Sequence, residues 1–551
     1  MSDHGAAATV LEPTFAPPAE RRSVLDRAHV GDIEGALGTV SSFDTGPRRS
    51  LRRRVATLLA IMGPGLVVMV ADNDAGGLAV YGQAGQDYGM SLVWVLVLLA
   101  PVLFINQEMV SRLGAVTGAG HARLIVERFG RRWGTFAIGD LLALNALTLV
   151  TEFIGVTLAL GFLGVGRYVA VPIAVVVLIA ATLTGSFRRW ERVMYLLVAA
   201  SAAVVPLAII SHGHQHAHAG GLLPGVQGGL SSTSVLLIIA LAGTTVAPWQ
   251  LFFQQSNVVD KRITPRWLGY ERIDTLIGTL VVIGGAVAVM LACAWAFTGT
   301  PLHGAYHDAG MIATGLRTNI SPLAGDLFAI ALLDASILGA AAVSLSSSYA
   351  VGDYFGYRHS LHRPWRQARF FHGTYAAFIA IAAIVVLIPG SPLGLITTGV
   401  QALAGILLPS ATVFLLLLCN DHEILGPWVN SRRLNALAAV VVGVLVALSM
   451  TLTITTLFPT INVAHLCLIV FGALGIILAT LGIVSQRTRT EAQRTAYSEW
   501  DRRNWTMPPL ETLAEPRRSR VRWLALVALR GQLVIAAALL LVKLLRLAVG
   551  A

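Results

Sequence analysis

Two carboxylates sit inside an apolar stretch of this chain, beside two glycines: Ala71-Asp72-Asn73-Asp74-Ala75-Gly76-Gly77. The apolar run Ile61 to Val70 precedes them and Leu78-Ala79-Val80-Tyr81 follows. A carboxylate at membrane depth costs about 2.5–3.5 kcal/mol on insertion scales, so a pair of them points to a cation pathway. Neighbouring glycines weaken a helix and let backbone carbonyls turn inward where they line a cavity. A second interruption, Gly243-Thr244-Thr245-Val246-Ala247-Pro248-Trp249-Gln250, carries a proline that removes a helix donor and kinks or unwinds its segment.

The two breaks offer oxygen ligands. They are the Asp74 carboxylate, carbonyls freed near Ala71 and Thr244, the Thr244 and Thr245 hydroxyls, and the amides of Gln83, Gln250 and Gln401. Neither break contains Cys, His or Met. An oxygen-only set favours hard cations, Mg²⁺ above all, over Fe²⁺ or Zn²⁺. The small residues Ala75, Gly76, Gly77 and Ala247 either leave room for a hydrated ion or only let helices approach closely. Asp74 also suits a protonated amine and repels anionic substrates.

The elements that must position these residues are membrane spans. Of 551 residues, 55% are hydrophobic and 13% charged, which is the composition of a polytopic membrane protein. The net charge of +11 does not signal nucleic acid, because the basic residues lie in short loops. The three cysteines, Cys293, Cys419 and Cys467, lack a metal-binding spacing and read as packing residues. No sizeable soluble domain is visible, which argues against a receptor; a transporter and not an enzyme is expected. Twelve spans are expected near 56–82, 90–114, 135–163, 168–185, 190–211, 233–257, 274–298, 324–350, 371–389, 393–419, 433–457 and 461–485.

Every second loop is basic, from Arg48–Arg54 before the first span to Arg487 and Arg489 after the twelfth. That places both ends of the 56–485 core on the cytoplasmic side of the plasma membrane. Residues 1–55 read as a disordered cytoplasmic tail and 486–520 as a cytoplasmic linker. The apolar stretch in 521–551 contains Arg530, Lys543 and Arg546, and either spans or lies at the interface. Nothing in the sequence fixes the oligomeric state, and a monomer suffices.

The breaks fall in spans 1 and 6, so each opens a half of five spans. An odd number of spans per half inverts the second half, and paired interruptions then mark a binding site at the midplane. Other polar positions have two readings each. Asp72 is a second ligand or a cap of the unwound segment. Glu152 keeps a proton role or bridges helices. Asp334 faces a cavity or pairs with another helix. The tract His212, His214, His216 and His218 collects metal weakly or is a solvated loop.

Over roughly residues 56–425 the chain resembles the NRAMP divalent-metal transporters. Gly63-Pro64-Gly65, Asp74-Ala75-Gly76-Gly77 and Gln83-Ala84-Gly85 are similar to the family's first span, where Asp-Pro-Gly-Asn is usual. Gln107, Arg112-Leu113-Gly114, Val116-Thr117-Gly118, Glu152-Phe153-Ile154-Gly155, Asp274-Thr275-Leu276-Ile277-Gly278 and Gln401 resemble later motifs. The departures are specific. The metal-binding Asn becomes Gly77, and the sixth-span Met-Pro-His becomes Ala247-Pro248-Trp249. A carboxylate of the family's proton route falls at Leu149.

This combination looks like the NRAMP-related magnesium branch. The resemblance implies an all-α LeuT-like inverted repeat with broken helices 1 and 6 and additional C-terminal spans. It implies a transporter with no cofactor, importing Mg²⁺ and Mn²⁺ uncoupled from protons and driven by membrane potential. Asp74, Ala71, Gly77, Thr244, Ala247 and Gln401 would surround the ion, with Asp72, Glu152, Trp249, Gln250 and Asp334 as secondary polar positions. The alternatives are a proton-coupled Mn²⁺/Fe²⁺ transporter and an organic-cation or amino-acid transporter of the same architecture.

Overall fold

The computed structural model describes residues 27–44, 46–212, 221, 223–388, 393–458, 461–487 and 499–513, with scattered positions beyond 525. A short antiparallel hairpin, β1 (Ile33–Gly35) and β2 (Gly38–Val40), precedes the helices. The first expected span is divided into three: α1 (Leu51–Ile61), α2 (Pro64–Asp72) and α3 (Ala75–Tyr88). The rest of the first half is α4 (Val93–Thr117), α5 (His121–Phe129), α6 (Arg131–Phe162), α7 (Arg167–Thr182), α8 (Phe187–Ala200) and α9 (Val204–Ser211). The second half comprises α10 (Ser232–Thr245), α11 (Pro248–Asp260), α12 (Leu268–Phe297), α13 (Ala309–Asn319), α14 (Pro322–Phe355), α15 (Arg369–Val386) and α16 (Leu393–Cys419). After it come α17 (His422–Leu425), α18 (Arg432–Leu457), α19 (Val463–Arg487) and α20 (Glu499–Asn504).

Among the described residues, ten segments are long and apolar enough to cross a bilayer, with α8 and α9 forming one of them and α10 and α11 another. α7 is shorter, at 16 residues, and α1 bends by 53° into α2. That bend has local causes. Gly63 holds φ +148°, a region open to glycine, and Pro64 starts α2 where its missing N–H costs nothing. The carboxylate of Asp274 at the start of α12 then accepts the N–H groups of Gly63 (3.0 Å), Gly65 (2.7 Å) and Leu66 (3.1 Å). The open amides of the buried first turn of α2 are thereby satisfied without water.

Burial follows the inverted-repeat plan. All nine residues of α2 and all thirteen of α11 are buried, whereas the apolar stretch of α19 is only 6% buried. The broken helices thus form the centre. The belt facing lipid carries exposed Val176 on α7, Leu280 on α12, Ile384 on α15 and Leu468 on α19. Small residues set the close crossings. A Cβ at Gly243 would overlap the Gln401 carbonyl, and one at Gly405 would overlap that of Ile239, so α10 and α16 meet backbone to backbone.

One expectation is corrected. Residues 27–44 are not a disordered tail. They form a short 3-10 turn and the hairpin, with Ile33 and Val40 packed in the same core cluster as Ala60 and Ile61. Composition alone missed this because the partners are charged side chains far along the chain, which hold backbone groups of the hairpin. Part of the 486–520 segment is also packed, with the Trp428 indole donating to the Arg502 carbonyl. Residues 1–26, His214 to His218 and most of 521–551 lie outside the described residues.

Candidate functional site

Both expected helix breaks are present, and they meet. α2 ends at Asp72, and Asp74 caps α3 through its Oδ1, which accepts the Gly77 N–H at 2.6 Å. In a continuous helix the Ala75 N–H would bond the Ala71 carbonyl. Here it donates instead to Glu152 Oε2 at 3.1 Å, which releases Ala71. On the other half, Val246 leaves helical geometry and Ala247 is extended between α10 and α11. Pro248 lacks an N–H, so the Thr244 carbonyl has no donor four residues on. Two carbonyls are therefore freed by two different devices, a side chain that diverts a donor and a proline that deletes one.

Around them the close approaches define the centre. A Cβ at Gly77 would lie 3.0 Å from Thr244 Oγ1 and 3.2 Å from the Asp72 carbonyl. A Cβ at Gly76 would overlap the Gln401 amide. A Cβ at Gly339 of α14 would lie 2.8 Å from both the Asp74 Cβ and Glu152 Oε2. These three glycines bring Asp74, Thr244, Gln401 and Glu152 together. Asp74 is 2% exposed and Glu152 fully buried. Two buried carboxyl groups this close repel unless a cation or a proton intervenes.

Several polar atoms here reach no hydrogen-bond partner in the protein: both Asp72 oxygens, Thr244 Oγ1, Gln401 Nε2, Gln250 Nε2 and the second Glu152 oxygen. Buried polar atoms left unpaired are expensive; a bound cation or water satisfies the oxygens among them, and water the two amide nitrogens. Among the described residues no three His, Cys, Asp or Glu side chains converge as a metal cage. An ion at this place would be held by one or two carboxylates and neutral oxygens.

The remaining sequence candidates divide. Gln250 accepts from Gln107 at 3.1 Å, on the side of the break toward the basic loops. Trp249 turns to α14, where its carbonyl accepts Ser346 Oγ at 2.9 Å and its ring tilts over Phe253. Ala247 is buried, and its carbonyl accepts the Gln250 N–H at 3.2 Å. Asp334 makes no hydrogen bond to any of these groups. Gln83 lies two turns beyond Gly77 and bonds Asp87 and Thr398. His212 packs edge-on against Trp295, at 5.0 Å between centroids.

Sequence reasoning missed Tyr81, whose hydroxyl lies 3.4 Å from Thr245 Oγ1, and the role of Gly339. Neither carries a sequence signal, since a tyrosine and a glycine within apolar spans are ordinary. A small cavity beside the first break is lined by Ala75, Ala79, Thr151, Tyr306, Asp308 and Thr397.

The family model described as natural resistance-associated macrophage protein-like matches residues 65–455. The "Divalent metal cation transporter MntH" of Ralstonia nicotianae is 29% identical over 399 residues, covering 69% of this chain and 87% of that protein. The protein of the same name from Bacillus subtilis is 24% identical over 425 residues, covering 72% and 93%. The crystal structure of a mutant of the Eremococcus coleocola manganese transporter superposes with a TM-score of 0.60 at 19% identity, covering 82% of this chain and 97% of that one.

Proposed function

The chain belongs to the Nramp family, and we propose that it carries a divalent metal cation across the plasma membrane by alternating access around Asp74. The observation that carries this reading is the meeting of the two helix breaks at a buried carboxylate ringed by unsatisfied oxygens. The Asp74 carboxylate supplies charge, directly or through water. The Ala71 and Thr244 carbonyls, the Thr244 hydroxyl and the Gln401 side chain supply neutral oxygen. Gly76, Gly77 and Ala247 leave the ion space. Rocking of the bundle that contains α2, α3, α10 and α11 against α6, α8 and α14 would expose the site to each side in turn.

Manganese is the ion nearer to the relatives, whose printed names speak of divalent metal and manganese transport. No relative named above carries magnesium in its name. Magnesium is the second reading, supported by one feature of this chain: Ala247 and Trp249 leave neither thioether nor imidazole at the second break. Leu149, buried and apolar where a family carboxylate would stand, supports transport without proton coupling.

Uptake of Mn²⁺ and Mg²⁺ into proteoliposomes, with internal pH followed in parallel, tests all of this. Asp74→Ala is expected to lower uptake at least about tenfold, since even loss of an outer-shell partner costs 10- to 100-fold at metal sites. Unchanged uptake would remove Asp74 from the site. Acidification in strict proportion to metal entry would establish the proton-coupled manganese reading instead. Mg²⁺ that neither enters nor competes with Mn²⁺ would end the magnesium reading.

A further inference from the structure

The segment that precedes the first helix is fastened to two parts of the molecule at once. On one side it is held by α8. Arg188 donates to the Gly35 carbonyl at 3.0 Å and to Thr39 Oγ1 at 2.6 Å, and the Glu191 carboxylate accepts the Ala36 N–H. On the other side it is held by the end of α11. Arg262 donates to the carbonyls of Ala28 (3.0 Å) and Asp32 (3.1 Å), and His29 lies 3.6 Å from Asp260. Lys261, 1% exposed, joins the two sides, donating at 2.6 Å both to Glu191 and to the Met62 carbonyl at the α1–α2 bend.

The fit is close. A Cβ at Gly35 would overlap the Ala60 carbonyl, and one at Gly38 would lie 3.1 Å from the Ala60 Cβ. Arg262 is the single non-glycine residue with positive φ (+66°) among those described, so α11 ends in a strained turn that aims its guanidinium at the hairpin. A hairpin with three-residue strands does not hold itself together in water. Its order comes from the helices it bridges.

We propose that residues 27–44 are a latch that ties α8 to the inner ends of α2 and α11, and that it has to come off before the site opens toward the basic loops. This rests on the transport reading, because α2 and α11 are the elements that would move relative to α8 in alternating access.

The test uses the full chain with Ser346→Cys as reporter and the three native cysteines replaced by Ala. Ser346 is fully buried where α14 meets α11, so its thiol is reached only when that seam parts. Ala36→Pro removes the N–H that Glu191 accepts. Arg188→Gln together with Arg262→Gln removes the guanidinium contacts. Elastase cleavage after Val40, which is 4% exposed while the segment is docked, reports whether the segment has detached. Labelling by an impermeant maleimide is compared in vesicles of both orientations, without metal.

Faster cleavage with several-fold faster labelling, confined to vesicles with the basic loops outward, is the expected result. Faster cleavage with unchanged labelling overturns the latch. Cleavage unchanged in both variants overturns it as well, because these contacts would then not be its fastening. Labelling is read apart from uptake, so a chain that labels as expected but moves no Mn²⁺ overturns the transport reading and not the latch.

Discussion

In the proposed site, Gly77 is the residue on which the chemistry of the first break turns. In the family motif that this segment resembles an amide stands there, and here a hydroxyl from the facing helix fills part of the same space. The Thr244 Oγ1 lies 3.0 Å from where a Gly77 Cβ would be, with Tyr81 at 3.3 Å. Gly77→Asn alone is therefore expected to overpack the site, costing about 1–3 kcal/mol, read as a lower melting temperature in detergent. Combining it with Thr244→Ala frees the space and is expected to recover the melting temperature and to shift binding toward Mn²⁺ relative to Mg²⁺, measured by titration calorimetry. Equal selectivity in wild type and double variant would mean that position 77 does not contact the ion. The sequence displayed Asp74, Gly77 and Thr244 as candidates, but not that Gly77 and Thr244 share one space. That contact depends on two helices 167 positions apart in the sequence.

At the scale of elements, the breaks are made by different means, and each was partly legible. Pro248 deletes a backbone donor, but Pro101, Pro172 and Pro409 lie inside continuous helices, so it was the pairing with the acidic segment that singled it out. The first break has no proline at its centre. It needs Asp74 as a cap and Glu152 as an acceptor for Ala75, and the second of these belongs to α6. Pro248→Ala is expected to return an N–H to the Thr244 carbonyl and extend α10 toward α11. Folding should be kept or improved while metal uptake falls severalfold, measured as melting temperature beside initial uptake rate. Uptake at the wild-type rate would mean that the Thr244 carbonyl is not a ligand. The α1–α2 bend at Gly63 was missed altogether. Gly63-Pro64-Gly65 reads as ordinary punctuation until Asp274 is seen bonding three amides of that turn.

For the whole molecule, the uncoupled transport proposed above turns on charge and field. Carrying two positive charges inward through the full potential is worth about 4.6 kcal/mol per 100 mV, more than three decades of concentration at about 1.4 kcal/mol each. Uptake into proteoliposomes is therefore expected to rise steeply when valinomycin and an outward potassium gradient make the interior negative, and to collapse when valinomycin with equal potassium on both sides holds the potential at zero. Indifference to potential would mean that a counter-ion moves with the metal and would favour a coupled cycle. The end of the molecule that carries the basic loops also shows that charge in this chain has two uses. Arg52 and Arg53 stand exposed on α1, but Arg188 and Arg262 are engaged with backbone carbonyls of the leading segment.

The sequence by itself determined the class, the succession of apolar spans, the pairing of the breaks and the acid at the centre. Each follows from local rules: hydropathy, loop charge, proline and glycine chemistry. Tertiary structure alone decided which oxygens face one another, which glycines are there for close approach, and that the leading segment is folded. Those depend on contacts between residues remote in the chain, where a side chain such as Glu152, Asp274 or Glu191 completes a backbone that its own neighbours leave unsatisfied.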